Sequence, residues 1–374
     1  MVSFCGTSSI ARCHIIAPAR TSPGDSFNNL PGNLSILIFM RMFLLCGLAL
    51  ATWVGVVVQV HASASTTVAT EGQIAAACLA NAHFQVSGSE VSLSYDSAEF
   101  AAGPARICAW AVRSALAVKT YYGRFPVGQV HIAIKAEDGD GVHGGTTYGE
   151  GEDGHPLILI RLGRDTSAAK LEDDWTMTHE MVHLSVPSVP ENSHWLEEGI
   201  ATYVEPIARV QQGQLDAPRI WADMLHGMRK GLPAQGDRGL DNTPTWGRTY
   251  WGGALFCLLA DVEIRERTGN RKGLQDALRG VLAAGGNIQQ DWPVERIFAV
   301  GDKATGVPVL TGLYHQMGDS PMPGRETLDA LWQALGVQAD GDGVHLDESA
   351  PLAASRRAIT APVPGGADRA EKHG

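Results

Sequence analysis

Residues 177–183 read Met-Thr-His-Glu-Met-Val-His, MTHEMVH. Two histidines stand four apart, with a glutamate directly after the first. On an α-helix residues i and i+4 share one face. His179 and His183 can therefore reach one metal ion, with Glu180 beside them. The surrounding pattern predicts that helix. From Lys170 to Val186 the sequence has helical periodicity and no internal Pro or Gly, and Pro187 is expected to stop it. Glu172, Asp173 and Asp174 are expected in its first turns, where the helix dipole favours acids. Two solvated histidines on a surface helix would show the same spacing. The apolar strand-like run just upstream argues instead for a packed helix.

His-Glu-x-x-His on a helix is a zinc signature with a physical mechanism. A catalytic zinc site has three protein ligands and one open position, so a third donor is needed. After the loop PSVPENS a second helix is expected from about Ser193, a residue able to cap it. It contains HWLEEGIATYVE, and Pro206 is expected to kink or end it. Spacing leaves His194, Glu197, Glu198 and Glu205 as candidates for the third ligand. Glu205 reads equally well as a support for a metal histidine or as a solvated surface acid.

Upstream, residues 65–165 alternate short strands with one good helix. VSLSY (91–95) and VHIAI (130–134) show period two, and PLILIRLG (156–163) is a strand. Between Pro104 and Tyr122 a helical stripe carries Ile107, Trp110, Ala111, Ala115 and Val118. The Gly-rich DGDGVHGGTTYGEGEDG (138–154) is expected as a loop or an irregular edge. Downstream, a third helix is expected at Thr249–Thr268, with more through Leu335. The fold class is therefore α+β: a small mixed sheet with an edge strand packed on the HExxH helix, followed by a mainly helical C-terminal region. The expected division is a mixed α/β part over 65–168, a zinc-binding helical part over 169–360, and a disordered, Pro/Gly-rich tail over 361–374.

The first 64 residues read differently. Met40-Arg41-Met42 precedes an apolar run from Phe43 to Val60, and Ala62-Ser63-Ala64 matches a small-x-small cleavage pattern. Residues 40–64 are thus expected to be a signal peptide, giving an exported chain. The 43–60 run is also long enough to anchor the chain in a membrane if it is not cleaved, and no other membrane contact is expected. Residues 1–39 lack periodicity and are expected to be a non-native or disordered extension. The 374 residues are 44% hydrophobic and 18% charged, enough for one large core or two modest ones. A formal charge of −11 argues against a nucleic-acid partner. Of six cysteines, Cys78, Cys108 and Cys257 follow the leader. Cys78 and Cys108 are the candidate disulfide of an exported protein, while Cys257, in GGALFCLLADVE, is expected to be a buried thiol.

Trp195-Leu196-Glu197-Glu198-Gly199-Ile200-Ala201, placed after HExxH, resembles the second motif of the gluzincin metallopeptidases. Their third ligand is a glutamate on the next helix. The resemblance is closest to the aminopeptidase N-like and glycyl-aminopeptidase-like branches, which carry W-L-N-E-G or F-S-E-G here. It implies one Zn2+ held by His179, His183 and Glu198. The gap between His183 and Glu198 is shorter than is usual in the aminopeptidase N-like branch. Arg248-Thr249-Tyr250-Trp251-Gly252-Gly253-Ala254 is similar to the Y-x-K-G-A segment of the same branches, with Gly252 where lysine is usual. That similarity implies Tyr250 as the residue stabilising the oxyanion, with Glu180 as general base. DKATG (302–306) and DALWQALGV (329–337) resemble the glycyl-aminopeptidase-like C-terminal part. No stretch matches the G-A-M-E-N motif that holds a substrate's free amine, so amino- and endopeptidase action both stay open. The implied function is a zinc metallopeptidase acting on a peptide or protein. Two alternatives also fit: a non-catalytic exported scaffold of the same fold, and a zinc amidase acting on a non-protein peptide.

Overall fold

The period-two stretches pair into one mixed sheet. A computed structural model describes residues 69–95 and 99–362. The expected extension (1–39), the signal peptide (40–64) and the tail beyond residue 362 lie outside the described residues. The chain enters through α1 (Glu71–Asn81), β1 (His83–Val86), β2 (Ser89–Tyr95) and α2 (Gly103–Tyr122). Then come β3 (Gln129–Glu137), β4 (Val142–Tyr148) and β5 (Leu157–Gly163). The strand order is β1-β2-β3-β5-β4. β2, β3 and β5 run parallel, with β1 and β4 antiparallel at the two edges. Burial alternates along β2, β3 and β5, so one face of each strand points into the core. Ile132, Ile158, Ile160 and Leu162 are all fully buried.

Of the two alternatives for the Gly-rich segment, a loop or an irregular edge, its 142–148 stretch takes the second, as the edge strand β4. Pairing with β5 from Tyr148↔Leu157 to Gly144↔Arg161 satisfies its backbone, and a bulge at His143 absorbs the irregularity. The helix α1 was missed, although its signal was present. Thr70 and Gln73 form a reciprocal capping box around its first turn. The stripe expected on α2 is buried throughout, with Pro104 in the first turn and Gly123 in a left-handed C-terminal position. Cys78 on α1 and Cys108 on α2 form a disulfide that ties the two helices together.

The helical half starts with a break. Where one helix was expected over Lys170–Val186, there are two, α3 (Ala168–Asp173) and α4 (Thr176–His183). Asp174 lies outside both in extended conformation, and its carboxylate accepts the Thr176 N–H at 2.8 Å. The acid thus caps the second helix instead of sitting in the first turn of a longer one. Next come α5 (His194–Gln211) and α6 (Ala217–Gly227). A π-helical turn at Gly247–Gly252 leads into α7 (Gly253–Thr268). The third helix expected at Thr249–Thr268 is therefore two structures. Pro206 sits inside α5 without ending it. A proline in a helix interior costs about 3 kcal/mol. Burial of Tyr203, Val204, Ile207 and Ala208 around Pro206 offsets this, at about 1.5–3 kcal/mol for each large apolar side chain.

After α8 (Leu274–Ala283), α9 (Val294–Thr305), α10 (Val309–Met317) and α11 (Arg325–Leu335), a hairpin of β6 (Val337–Asp340) and β7 (Gly343–Leu346) precedes α12 (Ala353–Thr360). One hydrophobic core runs from the sheet through α2 and α4 into these helices. Cys257 is buried in it as a free thiol. No helix among the described residues is long and apolar enough to cross a membrane.

Candidate metal centre

α4 carries His179, Glu180 and His183, and α5 carries Glu198 near its start. Glycines let α5 approach α7 closely. Gly199 on α5 lies against Gly253 at the head of α7, and a Cβ on Gly199 would stand 2.4 Å from the Gly253 backbone. Conversely, a Cβ on Gly253 would stand 2.2 Å from the Trp195 carbonyl oxygen. This contact seats Glu198, the neighbour of Gly199, next to Tyr250, which lies three residues before Gly253.

The donor atoms converge. Glu198 Oε2 lies 3.1 Å from His179 Nε2 and 3.7 Å from His183 Nε2. All three ligand atoms lie within 4.8 Å of one another, the one such group of three among the described residues. Ligands bonded to zinc at 2.0–2.1 Å in tetrahedral directions hold their donors about 3.3 Å apart. The spacing and the donor set, two imidazoles and one carboxylate, therefore fit a catalytic zinc site. His179 and Glu198 are buried, and His183 is partly buried. Burial holds the His183 imidazole below its ordinary value, in the neutral form a metal ligand needs. Burial alone would raise the Glu198 carboxyl. Hydrogen bonds from His179 and His194, with the nearby His183, outweigh that and hold it far below the usual range.

The remaining spacing candidates do other things. His194 hydrogen-bonds Glu197 at 2.7 Å and reaches Glu198 Oε1 at 3.3 Å. Those two carboxylates push its pKa up to about 10. Glu197 also accepts the Val189 N–H at 3.1 Å, closing the loop before α5. Glu205 is not a surface acid. It is buried and paired with Arg209 at 2.9 Å.

Glu180 faces β4. The Thr147 hydroxyl lies 2.6 Å from Glu180 Oε2 and 2.9 Å from the Glu180 carbonyl. Gly145 provides the room, since a Cβ there would stand 2.4 Å from Glu180 Cγ. Sequence reasoning missed both residues. A glycine amid period-two residues was the available signal, because it marks a close approach.

Tyr250 stands in the π-helical turn between two rings. It stacks on Trp246 at 5.9 Å and lies 6.4 Å from the His179 ring, near parallel. Burial and the nearby Glu198 and Glu180 carboxylates raise its phenol well above the ordinary value, so it keeps its proton. Arg248, two residues before it, is buried. Its guanidinium donates to the Gly231 carbonyl at 2.6 Å and pairs with Asp237 at 2.9 Å, although the Nε–H is not aimed along that second contact. This pins the turn from behind. π-Helical turns are rare and are often found at functional sites.

No family model matches the chain, and no curated protein matches it. Solved structures do. An aminopeptidase N family protein from Idiomarina loihiensis is 14% identical with a TM-score of 0.50, over 68% of this chain and 49% of that one. An M1 zinc metallopeptidase from Deinococcus radiodurans is 14% identical with a TM-score of 0.42, over 64% and 51%. A mutant form of the same enzyme, bound to a Tyr-Ser-Ala substrate, gives 12% and 0.42, over 64% and 52%. The described chain shares its fold with the first of these structures. It spans about half the length of these structures.

Proposed function

We propose that the chain is an exported, zinc-dependent metallopeptidase. The observation that carries this reading is the convergence of the His179, His183 and Glu198 donors at zinc-like spacing, with Glu180 and Tyr250 beside them. His179, His183 and Glu198 would hold one Zn2+, which when bound supplies Lewis acidity toward a carbonyl oxygen and toward water. The chain's own groups supply the rest. Glu180, its Oε2 held by Thr147, accepts a proton from the attacking water. As the C–N bond breaks, Glu180 passes that proton to the leaving amine. Tyr250, which keeps its proton, donates a hydrogen bond to the oxygen that gains negative charge. A donor of this kind is worth about 2.7–4 kcal/mol in the barrier. β4 pairs with β5 on one side only, so an extended peptide can add to its other edge. The Cys78–Cys108 disulfide supports export, since such bonds persist in oxidising compartments.

The test is zinc stoichiometry followed by peptide hydrolysis with and without a chelator, in wild type and Glu180→Gln. We expect one zinc in both proteins and chelator-sensitive hydrolysis in wild type alone. Full activity in Glu180→Gln would overturn the role of Glu180. Bound zinc without peptide hydrolysis in wild type would overturn the peptidase reading in favour of a scaffold or an amidase. Parallel N-blocked and free peptides separate endo- from aminopeptidase action.

A further inference from the structure

Beside the metal centre lies a cavity of about 470 Å³, lined partly by His179 and Tyr250. Its other walls come from α5, α6 and the segments before α4 and α7, and none from β4. It therefore lies on the flank of the site away from the edge strand. Three tryptophans line it: Trp175, Trp246 and Trp251. Trp175 meets the His179 ring edge-on at 5.2 Å, and Trp246 stacks on Tyr250. These two are 53% and 61% exposed, among the few large apolar side chains left open in the described residues. Open tryptophans at the mouth of a concave space suit an occupant that covers them.

The charges in the wall narrow the choice. Glu205 is paired with Arg209, and Asp173 with Arg219 at 2.7 Å. Asp223, the one remaining carboxylate in the lining, is exposed and disfavours an acidic occupant. Trp246 and Trp251 already have a cation near their faces, Lys230 Nζ, at 5.8 and 5.7 Å. A second cation there would be repelled. What remains is a neutral, large, flat side chain.

We propose that this cavity receives an aromatic side chain of the peptide, from a residue flanking the scissile bond. This rests on the peptidase reading above, so the experiment has two arms. In the first, the full chain carrying Glu180→Gln and loaded with zinc is titrated with N-acetyl-phenylalanine amide and N-acetyl-alanine amide, while tryptophan fluorescence is followed. We expect saturable quenching by the phenylalanine amide at a Kd at least about tenfold lower than for the alanine amide. We also expect that difference to vanish when Thr202, whose side chain borders the cavity, is replaced (Thr202→Phe). Equal binding of the two amides, or an unchanged difference in a folded, zinc-loaded Thr202→Phe variant, would overturn the proposal. Should that variant fail to fold, Leu215→Phe fills the same space from another wall.

In the second arm, a peptide mixture is digested by the wild-type chain. Aromatic residues should be enriched at least about tenfold at one position beside the cut. Enrichment of basic or small residues instead overturns the cavity assignment. If wild type cuts no peptide, the peptidase reading fails, while the first arm still decides the cavity.

Discussion

At the scale of single residues, the site depends on small groups that position larger ones. Thr147 holds the carboxylate expected to move the proton. A hydrogen bond to a charged group is worth about 1.5–3 kcal/mol. Thr147→Val should therefore lower kcat by about tenfold or more with little change in KM, while Thr147→Ser restores most of it. Steady-state kinetics on the zinc-loaded proteins checks this, and equal kcat in Thr147→Val and wild type would remove Thr147 from the mechanism. Asp174 shows the opposite balance. Burial raises its carboxyl from 3.8 to about 6, against the Thr176 hydrogen bonds and the attraction of Arg209, with Glu205 also near. A raised pKa means that the folded chain binds the proton more tightly. The resulting stability is present below about pH 4 and lost as pH rises through 6. Between those limits the wild type should lose roughly 3 kcal/mol relative to Asp174→Asn. Denaturant unfolding of both proteins at pH 4, 5, 6 and 7 measures it. A constant difference would mean that Asp174 stays ionised throughout.

At the scale of elements, the α5–α7 crossing is the joint on which the site turns. Gly199 and Gly253 allow backbones to touch, and added atoms would part the helices that carry Glu198 and Tyr250. Overpacking of this kind costs about 1–3 kcal/mol. Gly199→Ala should lower stability by that amount and weaken zinc retention together. Gly72→Ala is the control, because nothing lies within 4 Å of its new methyl on α1. Unfolding midpoints and zinc content after dialysis check both variants. A Gly199→Ala protein as stable and as zinc-loaded as wild type would show that the crossing has slack. The break between α3 and α4 works at the same scale. By capping at Asp174, the chain starts the HExxH helix afresh, free to leave the direction of α3 and lie against β4.

At the scale of the whole molecule, one core joins the sheet to the helices, and the covalent tie lies far from the metal centre in sequence. Cys78–Cys108 closes a loop across α1, β1, β2 and the start of α2. Replacing both cysteines by serine should cost about 2–5 kcal/mol and leave zinc stoichiometry unchanged. Thermal unfolding and metal analysis test the two halves of that statement, and loss of zinc would show that the sheet's first strands help shape the site. Cys257, by contrast, is buried with its thiol pushed well up. It should resist alkylation until the chain unfolds.

Periodicity and spacing made much of this legible. The apolar stripe of α2, the parallel strands, the face shared by His179 and His183, and the helix bearing Glu198 all follow from patterns local to the chain. Those patterns encode which face of an element avoids water, and little else. Four residues around the second helix had the right chemistry for a third ligand, and only the tertiary structure brings Glu198 to the histidines while turning Glu197 to a loop N–H and Glu205 to Arg209. That choice depends on how α5 is rotated and how closely it approaches α7, distances set by contacts between residues more than fifty positions apart. The same holds for Thr147 and Gly145, which lie on a segment that reads as a loop or an irregular edge until its partner β5 satisfies its backbone. The sequence by itself determined the elements and the chemistry they carry. The packing of one element on another decided which of those groups meet.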